Sequence, residues 1–243
     1  SRGLGDVYKR QVLEDPGEVI AVSTREGYVN PLGEINKVWG EVFLNASMES
    51  ILNGYRDPRR EKFFSPCPED VVLTDRAGRD SVVVPLKGQY RGIRQGTLFS
   101  HTYYASHSRI YVSQSTAPIL MTAAEMWFLR AEAALRGWTG ENAEDCYRKG
   151  VKVSFSQWGV PDAEDYLMSD NTGADYEDVY TPSNCIAARC KVSPRWEADE
   201  NAEVKLEKII TQKWLAVFPE GCEAWAEQRR TGYPRLFPVK YNN

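Results

Sequence analysis

The stretch PILMTAAEMWFLRAEAALRGW, residues 118–138, carries the strongest structural signal in the chain. Small and apolar side chains fill nearly every face of it, and charged ones interrupt at only four positions: Glu125, Arg130, Glu132 and Arg136. Pro118 suits the start of a helix and Gly137 suits its end. The stretch therefore predicts a helix that is buried on several sides, and its alanines leave room for neighbouring helices to approach closely.

A second helix is predicted immediately downstream. After the short break TGEN, the sequence AEDCYRKGVKVSFSQWG, residues 143–159, has a helical pattern, so the two helices should form an antiparallel pair. Aromatic and small residues recur along the pair with a spacing that resembles a tetratricopeptide unit: Trp127, Ala131, Ala143, Tyr147 and Gly150. The proline that usually closes such a unit is displaced to Pro161. This pattern favours a mainly α-helical protein.

The segments before this pair predict two further helices and a hairpin. Apolar residues at helical spacing predict one amphipathic helix over residues 33–53, and Asp57 followed by Pro58 predicts the start of a short second one. Residues 65–117 are predicted to be a long loop region, in which VVL and SVVV flank the turn-rich TDRAGRD and form a small β-hairpin. Loops of this length are uncommon in compact domains and are often functional.

The segments after the pair predict a polar insert and two final helices. Residues 158–196 have low apolar density, and their acidic stretches DAEDY and DYEDVY lack calcium-loop spacing, so we expect solvated surface. The apolar residues of the next helix fall on one face: Leu206, Ile210, Trp214 and Val217. A short helix is then predicted in EAWAEQRRTGYPRLF, residues 223–237, with Trp225 in the core and Gly232 closing the helix.

Composition indicates a folded chain without a basic field. The 243 residues are 42% apolar and 12% aromatic, which is enough for one domain or two small ones. The 30 basic and 34 acidic residues give a net charge of −4, so nucleic acid is not an expected partner. No stretch approaches the roughly 20 uninterrupted apolar residues that span a bilayer.

The residue types that serve metal binding and catalysis are sparse. The five cysteines form no C-x-x-C pair, and the only histidines, His101 and His107, are predicted to be exposed loop residues. We therefore predict no metal site and no cofactor. Glu125 and Glu132 lie on one helical face and leave open a glycan-processing hydrolase, although pairing with Arg130, Arg136 or the helix ends is the favoured interpretation. A tetratricopeptide-type adaptor also stays open, but only one clear unit is present.

Five blocks, in this order, resemble the SusD/RagB family of nutrient-binding outer-membrane lipoproteins from Bacteroidetes. They cover most of residues 30–238: INKVWGEVFLNASMESILNGYRDPRREKFF, YRGIRQG, PILMTAAEMWFLRAEAALRGW, YRKGVKVSFSQWG and ITQKWLAVFPEGCEAWAEQRRTGYPRLFP. The resemblance implies a scaffold of tetratricopeptide-like helical pairs with decorating loops. It also implies a surface-exposed, non-enzymatic lipoprotein that captures oligosaccharides, or peptides, for a TonB-dependent, SusC-like transporter.

The resemblance further implies that the chain is a fragment. Family members are about twice as long, so we expect residues 12–243 to be a partial SusD-like domain truncated at both ends. The signal peptide and the lipidated cysteine would then lie in the N-terminal half, and localisation at the outer membrane rests on the family alone. Residues 1–11 share no pattern with the rest and are predicted to be a non-native start.

Candidate ligand contacts follow from the chemistry of sugar binding. An oligosaccharide site needs flat apolar rings for C–H faces and a few amide or guanidinium donors for hydroxyls. The tyrosine-rich loop offers Tyr90, Arg91, Arg94, Tyr103 and Tyr104, and the ends of the polar insert offer the weaker candidates Trp158 and Trp196. For each of these residues the alternative is that it anchors a long loop on the helical scaffold.

Overall fold

The computed structural model describes residues 12–74, 78, 81–98 and 104–241, so the predicted non-native start lies outside the described residues. The described residues form eight α-helices: α1 (Pro31–Val38), α2 (Ala46–Gly54), α3 (Arg60–Phe63), α4 (Ala123–Leu135), α5 (Ala143–Gln157), α6 (Ala163–Leu167), α7 (Ala202–Ala216) and α8 (Gly221–Thr231). Four short strands accompany them: β1 (Val19–Ala21), β2 (Val71–Thr74), β3 (Ser81–Val84) and β4 (Ile119–Thr122). The predicted mainly α-helical class is confirmed.

The chain divides into two compact units. Unit 1 comprises residues 1–24, 117–170 and 194–234 and contains β1, β4 and helices α4 to α8. Unit 2 comprises residues 25–116, 171–193 and 235–243 and contains helices α1 to α3 with strands β2 and β3. Within the part of the chain that the structure describes, no helix has the length and apolar character needed to cross a membrane.

The predicted helical pair forms the centre of unit 1. Phe128 of α4 lies edge-on to Tyr147 of α5, with ring centroids 6.2 Å apart, and both are fully buried. Gly150 permits this approach, because a Cβ atom there would lie 2.9 Å from the Phe128 ring. Gly150 therefore lies at the helix contact, as the tetratricopeptide spacing indicates.

The first helix of the pair begins later than predicted. Residues 119–122 form β4, which pairs antiparallel with β1, and the hydroxyl of Thr122 caps α4 by accepting from the backbone N–H of Glu125 at 3.2 Å. The β-branched residues Ile119 and Thr122 flank Leu120 and Met121 in a sequence that suits a strand as well as a helix. A threonine cap then sets the helix start.

Helix α7 is exposed in its first turn and buried on all sides from Glu207 onward, so its burial extends beyond the apolar face that the sequence predicts. Its buried residues run without interruption from Glu207 to Val217 and include Lys208 and Lys213. Lys213 is held by carboxylates: its Nζ lies 2.7 Å from Glu223, 3.2 Å from Glu227 and 3.8 Å from Glu125. Buried charges require such partners.

In unit 2, the single helix predicted over residues 33–53 is two helices. Helix α1 ends at Val38, Gly40 takes a left-handed backbone conformation (φ +63°), and Asn45 caps α2 by accepting from Met48 N–H at 2.9 Å. The apolar side chains of α1 do not face a common core with those of α2, since Val38 and Trp39 are exposed. A glycine and a capping asparagine inside the apolar pattern decide the break.

The short helix and the hairpin of unit 2 follow the predictions closely. Asp57 accepts from the backbone N–H of Arg59 at 2.9 Å and forms a fully buried ion pair with its guanidinium at 2.6 Å, just before α3. Strands β2 and β3 pair antiparallel, with Val71 opposite Val84 and Thr74 opposite Ser81. The predicted small hairpin is confirmed.

The polar insert contains more buried structure than the sequence predicts. Helix α6 and the 3₁₀ turn Pro182–Asn184 lie within it, and Tyr176 and Asp178 of DYEDVY are buried. Asp178 accepts hydrogen bonds from the Tyr104 hydroxyl and the Asn184 amide, both at 2.8 Å, and from two backbone N–H groups. The expectation that this acidic stretch is solvated is therefore wrong for Asp178, which serves as a buried acceptor, whereas Asp175 and Glu177 are exposed as expected.

Candidate functional site

A surface of two tyrosines and an arginine lies where α2, α3 and the tyrosine-rich loop meet in unit 2. The guanidinium carbon of Arg60 lies 4.2 Å from the centroid of the Tyr90 ring, and Arg60 Nη1 donates to Asn53 Oδ1 at 2.8 Å. Asn53 Nδ2 in turn donates to the Tyr90 carbonyl at 2.9 Å. Tyr111 is 55% exposed, and its backbone N–H donates to the Phe63 carbonyl at the end of α3. We call Arg60, Tyr90, Tyr111 and Asn53 the Tyr90 surface.

Electrostatics connect the members of the Tyr90 surface. Partial burial raises the pKa of the Tyr90 hydroxyl, as do Glu61 and Tyr111, whereas Arg60 opposes the shift in pKa. The Tyr90 hydroxyl therefore lies close enough to Tyr111, Arg60 and Glu61 for their charges to affect its pKa. The surface combines aromatic rings, a guanidinium and an amide, and the Glu61 carboxylate lies beside it, 4.0 Å from Arg60.

Arg91, the next predicted residue, fixes the base of the loop. Its guanidinium lies 3.3 Å from Glu49 of α2, and Glu49 also accepts from Gly92 N–H at 2.5 Å. Burial raises the pKa of Glu49 to about 7, and Arg91 and the Gly92 hydrogen bond only partly offset this rise in pKa. A Cβ atom at Gly92 would lie 2.7 Å from the backbone of Asn45, so the loop approaches α2 as closely as its backbone allows.

Tyr104 is enclosed by protein, with only 2% of its surface exposed. Its ring lies edge-on to His107 and Tyr180 at 5.2 Å, and burial together with the hydrogen bond to Asp178 raises the pKa of its hydroxyl to about 12. His107 is buried as well, so the prediction of an exposed histidine is wrong. Burial and the charge of Arg91 lower the pKa of His107 to about 4. His101 lies outside the described residues.

Arg94 borders a separate depression of about 350 Å³ in unit 2. Its guanidinium is buried and donates to the carbonyls of Asn184 at 2.9 Å and Pro238 at 3.4 Å. The walls of the depression are formed by two segments, 41–45 and 93–97, with Phe43 as the aromatic member. Tyr90 does not line this depression.

The remaining predicted ligand residues lie either in unit 1 or outside the described residues. Tyr103 lies outside the described residues. Trp158 and Trp196 belong to unit 1, where Trp196 is buried against Tyr147 with ring centroids 5.2 Å apart and Trp158 lies 6.3 Å from the Phe218 ring. Whether any of the seven predicted residues contacts a ligand stays a prediction.

The carboxylates that left a hydrolase open are both in ion pairs in unit 1. Glu132 is buried and accepts from Arg136 at 2.8 Å and from both terminal nitrogens of Arg230 at 2.6 and 2.7 Å, while Glu125 lies 3.8 Å from Lys213. Arg230 also contacts Glu227 at 2.7 Å, as its spacing predicts. Across the described residues, no three His, Cys, Asp or Glu side chains gather closely enough to hold a metal ion.

The end of α8 confirms one prediction and corrects another. Gly232 closes the helix in the left-handed conformation (φ +79°), as predicted. Trp225 is 65% exposed rather than in the core, with the Arg229 guanidinium carbon 5.4 Å from its ring. The mixed pattern of α8 contains too few apolar residues to define its buried face.

Sequence reasoning missed Arg60 and Asn53, which hold the Tyr90 ring and backbone. One signal pointed to Arg60, because DPRREK is the densest run of basic residues in the chain. The buried acceptors Glu49 and Asp178 carry no comparable signal, since Arg91 lies 42 positions from Glu49 and Tyr104 lies 74 positions from Asp178.

Comparisons with known proteins agree with this architecture. The family model described as SusD-like, SusD and RagB outer membrane lipoprotein, matches residues 8–243. A SusD homologue from Bacteroides vulgatus is 41% identical over 98% of this chain and 47% of its own, with a TM-score of 0.83. A chitin-binding SusD homologue from Flavobacterium johnsoniae is 39% identical over 97% of this chain and 46% of its own, with a TM-score of 0.82.

A third solved structure, a SusD-like protein from Bacteroides thetaiotaomicron, is 35% identical over 94% of this chain and 46% of its own, with a TM-score of 0.80. No curated protein matches the chain. The chain spans about half the length of the solved structures that it matches. Both the family model and the solved structures show that this chain belongs to the SusD/RagB family.

Proposed function

We propose that this chain is part of a non-enzymatic capture protein that binds oligosaccharides at the outer-membrane surface and delivers them to a TonB-dependent, SusC-like transporter. Membership of the SusD/RagB family supports this function. We also propose that the chain is one part of a longer family protein, because the relatives are about twice its length. A lipidated cysteine in a preceding segment would then anchor the protein to the membrane.

The observation that carries the proposal is the Tyr90 surface. Arg60 covers one face of the Tyr90 ring and leaves the ring edge and the exposed Tyr111 ring available for the C–H faces of a sugar. Arg60 Nη1 is already bonded to the Asn53 amide, which holds the guanidinium in place, so Arg60 Nη2 is the nitrogen that can donate to a sugar hydroxyl. These are the components that a carbohydrate site requires, and α2 and α3 hold them in place before a ligand arrives.

The first candidate ligand is a β-linked chain of N-acetylglucosamine. It is suggested by the chitin-binding homologue, which shares 39% identity with this chain. Peptides are the second candidate, from the breadth of nutrients that the family is expected to capture. A hydrolase is disfavoured because Glu125 and Glu132 are held by Lys213, Arg136 and Arg230.

The test is calorimetric titration of the protein with a chitin tetrasaccharide, cellotetraose, maltotetraose and a peptide mixture. A tyrosine side chain buries about 150–250 Å², so a sugar that covers one ring face removes roughly 75 Å² of apolar surface from water. At about 25 cal/mol per Å², Tyr111→Ala should weaken sugar binding by about 2 kcal/mol, or roughly 25-fold in Kd, and Tyr90→Ala, whose ring offers only its edge, by about 1 kcal/mol, or roughly fivefold.

The chain offers a matched control for these variants. Tyr28 is an exposed tyrosine of unit 2 with the Arg25 guanidinium carbon 4.6 Å from its ring, but it lies outside the Tyr90 surface. Tyr28→Ala should leave the affinity unchanged. Equal losses in Tyr28→Ala and Tyr90→Ala would refute the site, and release of reducing sugar from the oligosaccharides would refute the non-enzymatic function.

A further inference from the structure

Unit 1 contains a second groove whose chemistry resembles that of a sugar site. The groove has a volume of about 340 Å³, within the range of about 300–1,000 Å³ that is typical of small-molecule sites. It lies between the end of α4 and the start of α7, and its walls are formed by six residues: Leu135, Arg136, Trp138, Ala202, Glu203 and Leu206.

The indole of Trp138 is the most prominent feature of this groove. It is 73% exposed, and the Arg136 guanidinium carbon lies 5.4 Å from its ring, so most of the ring is open to solvent. Its backbone is nevertheless fixed, because Trp138 N–H donates to the Ala133 carbonyl at 2.9 Å and Gly137 N–H donates to the Ala134 carbonyl at 3.0 Å. These hydrogen bonds close α4 in a Schellman motif and hold the ring on a rigid helix end.

The polar groups around the indole have unused hydrogen-bonding capacity. Arg136 Nε donates to Glu132 at 2.8 Å, but its two terminal nitrogens have no partner among the residues that the structure describes. Glu203 accepts from the Tyr233 hydroxyl at 2.6 Å through one oxygen, and its other oxygen has no partner within the same described set. The groove therefore offers the terminal nitrogens of Arg136 as hydrogen-bond donors and one oxygen of Glu203 as an acceptor. A buried partner holds each side chain in place: Glu132 holds Arg136, and Tyr233 holds Glu203.

The charges of the groove indicate what it binds. Glu203 disfavours an anion and Arg136 disfavours a cation, whereas a neutral ligand with many hydroxyl groups can donate to the carboxylate and accept from the guanidinium at once. Leu135 and Leu206 form an apolar floor beside the ring. We propose that the groove of Trp138, Arg136 and Glu203 is a second carbohydrate-binding site that takes a neutral pyranose unit. This inference rests on the proposed function only in its choice of carbohydrate as the ligand.

The experiment measures binding through the fluorine NMR signal of Trp138. The protein is labelled with 5-fluorotryptophan, and Trp138→Phe assigns one of the seven fluorine signals in its NMR spectrum. We expect a chitin tetrasaccharide, cellotetraose or maltotetraose to shift that signal saturably. Arg136→Ala and Glu203→Gln should each weaken the titration about tenfold or more, because each removes a charge-assisted hydrogen bond. Glu132 keeps Arg230 in the first variant, and glutamine can still accept from Tyr233 in the second, so both proteins should fold.

Trp225 provides the matched control within unit 1. It has an arginine at the same 5.4 Å from its ring and is 65% exposed, yet it does not border the groove. Its signal should not move. Equal shifts of both signals, or no shift of the Trp138 signal at about 10 mM of each sugar, would overturn the inference.

The titration is repeated in a variant that carries Tyr90→Ala and Tyr111→Ala together. The Trp138 signal should still respond there, so that failure of the Tyr90 surface and failure of the groove give different results. Loss of the Trp138 response in that double variant would mean that the signal reports binding elsewhere, and this too would overturn the second site.

Discussion

Gly54→Ala should destabilise the protein, although alanine is the better helix former. Gly54 is the last residue of α2, and a Cβ atom there would lie 2.3 Å from the Thr172 carbonyl oxygen and 2.4 Å from Ala174 N. Both are backbone atoms of a segment that backbone hydrogen bonds hold in place. Ala174 N–H donates to the Ser50 carbonyl at 2.8 Å, and Gly173 N–H donates to the Cys190 carbonyl at 3.0 Å.

Two opposing effects decide the magnitude. Replacing glycine by alanine in a helix gains about 1 kcal/mol from backbone entropy and helix propensity. Overpacking a well-packed site costs about 1–3 kcal/mol, and this site belongs at the upper end because backbone rather than a flexible side chain must move. We therefore expect Gly54→Ala to lower the free energy of unfolding by about 2 kcal/mol.

The assay is urea unfolding followed by circular dichroism, with Gly221→Ala as the matched control. Gly221 begins α8, and no atom lies within 4 Å of the methyl group that alanine would add. The control should have unchanged or slightly higher stability. If Gly54→Ala is as stable as the parent protein, the close approach of residues 172–174 to α2 is refuted.

Three further predictions concern buried charges. Because burial lowers the pKa of His107 from 6.5 to about 4, stability should fall as the pH drops through this interval, and His107→Phe should remove that slope in urea melts across pH. Because burial raises the pKa of Glu125 from 4.5 to about 7, its contribution is full below pH 4.5 and lost as the pH rises through 7, and Glu125→Gln should remove this loss. Arg230→Ala leaves Glu132 without its bidentate partner and should cost about 2 kcal/mol in the same melts, less than for a fully buried pair because Arg230 is partly exposed, whereas Arg229→Ala should change stability by less than about 0.5 kcal/mol.

The parts of the fold that the sequence predicts are those set by local pattern. The pair α4 and α5 follows from apolar periodicity and from small residues such as Gly150, which lies against Phe128. The hairpin follows from two β-branched runs around a turn. The sequence fails to predict features that depend on a single residue or on a partner distant in the chain. Examples are the helix break at Gly40 and the burial of Lys213 among three carboxylates.

The candidate site was predictable only in part for the same reason. Tyr90 belongs to a loop that is visibly rich in tyrosine, but its neighbour Arg60 lies on a different element 30 positions earlier. The burial of Tyr104 depends on Asp178, which the acidic stretch DYEDVY presents as ordinary surface charge. Sequence composition indicates a functional loop, and only the folded chain separates the residues that face solvent from those that hold the loop.

This separation determines how the loop can bind a ligand. Tyr104 with Asp178, and Arg91 with Glu49, are buried or paired within the protein, so they fix the described parts of the loop at these two positions without being available to a sugar. Ordering a flexible loop costs free energy that would otherwise contribute to affinity, and a loop that is already fixed avoids most of this cost. The substitution Tyr104→Phe should then weaken sugar binding indirectly, by loosening the loop that presents Tyr90. The affinity lost in Tyr104→Phe should increase with temperature, as hydrogen exchange shows the loop becoming more mobile. The affinity lost in Tyr90→Ala should already be present at temperatures where hydrogen exchange shows the loop to be ordered.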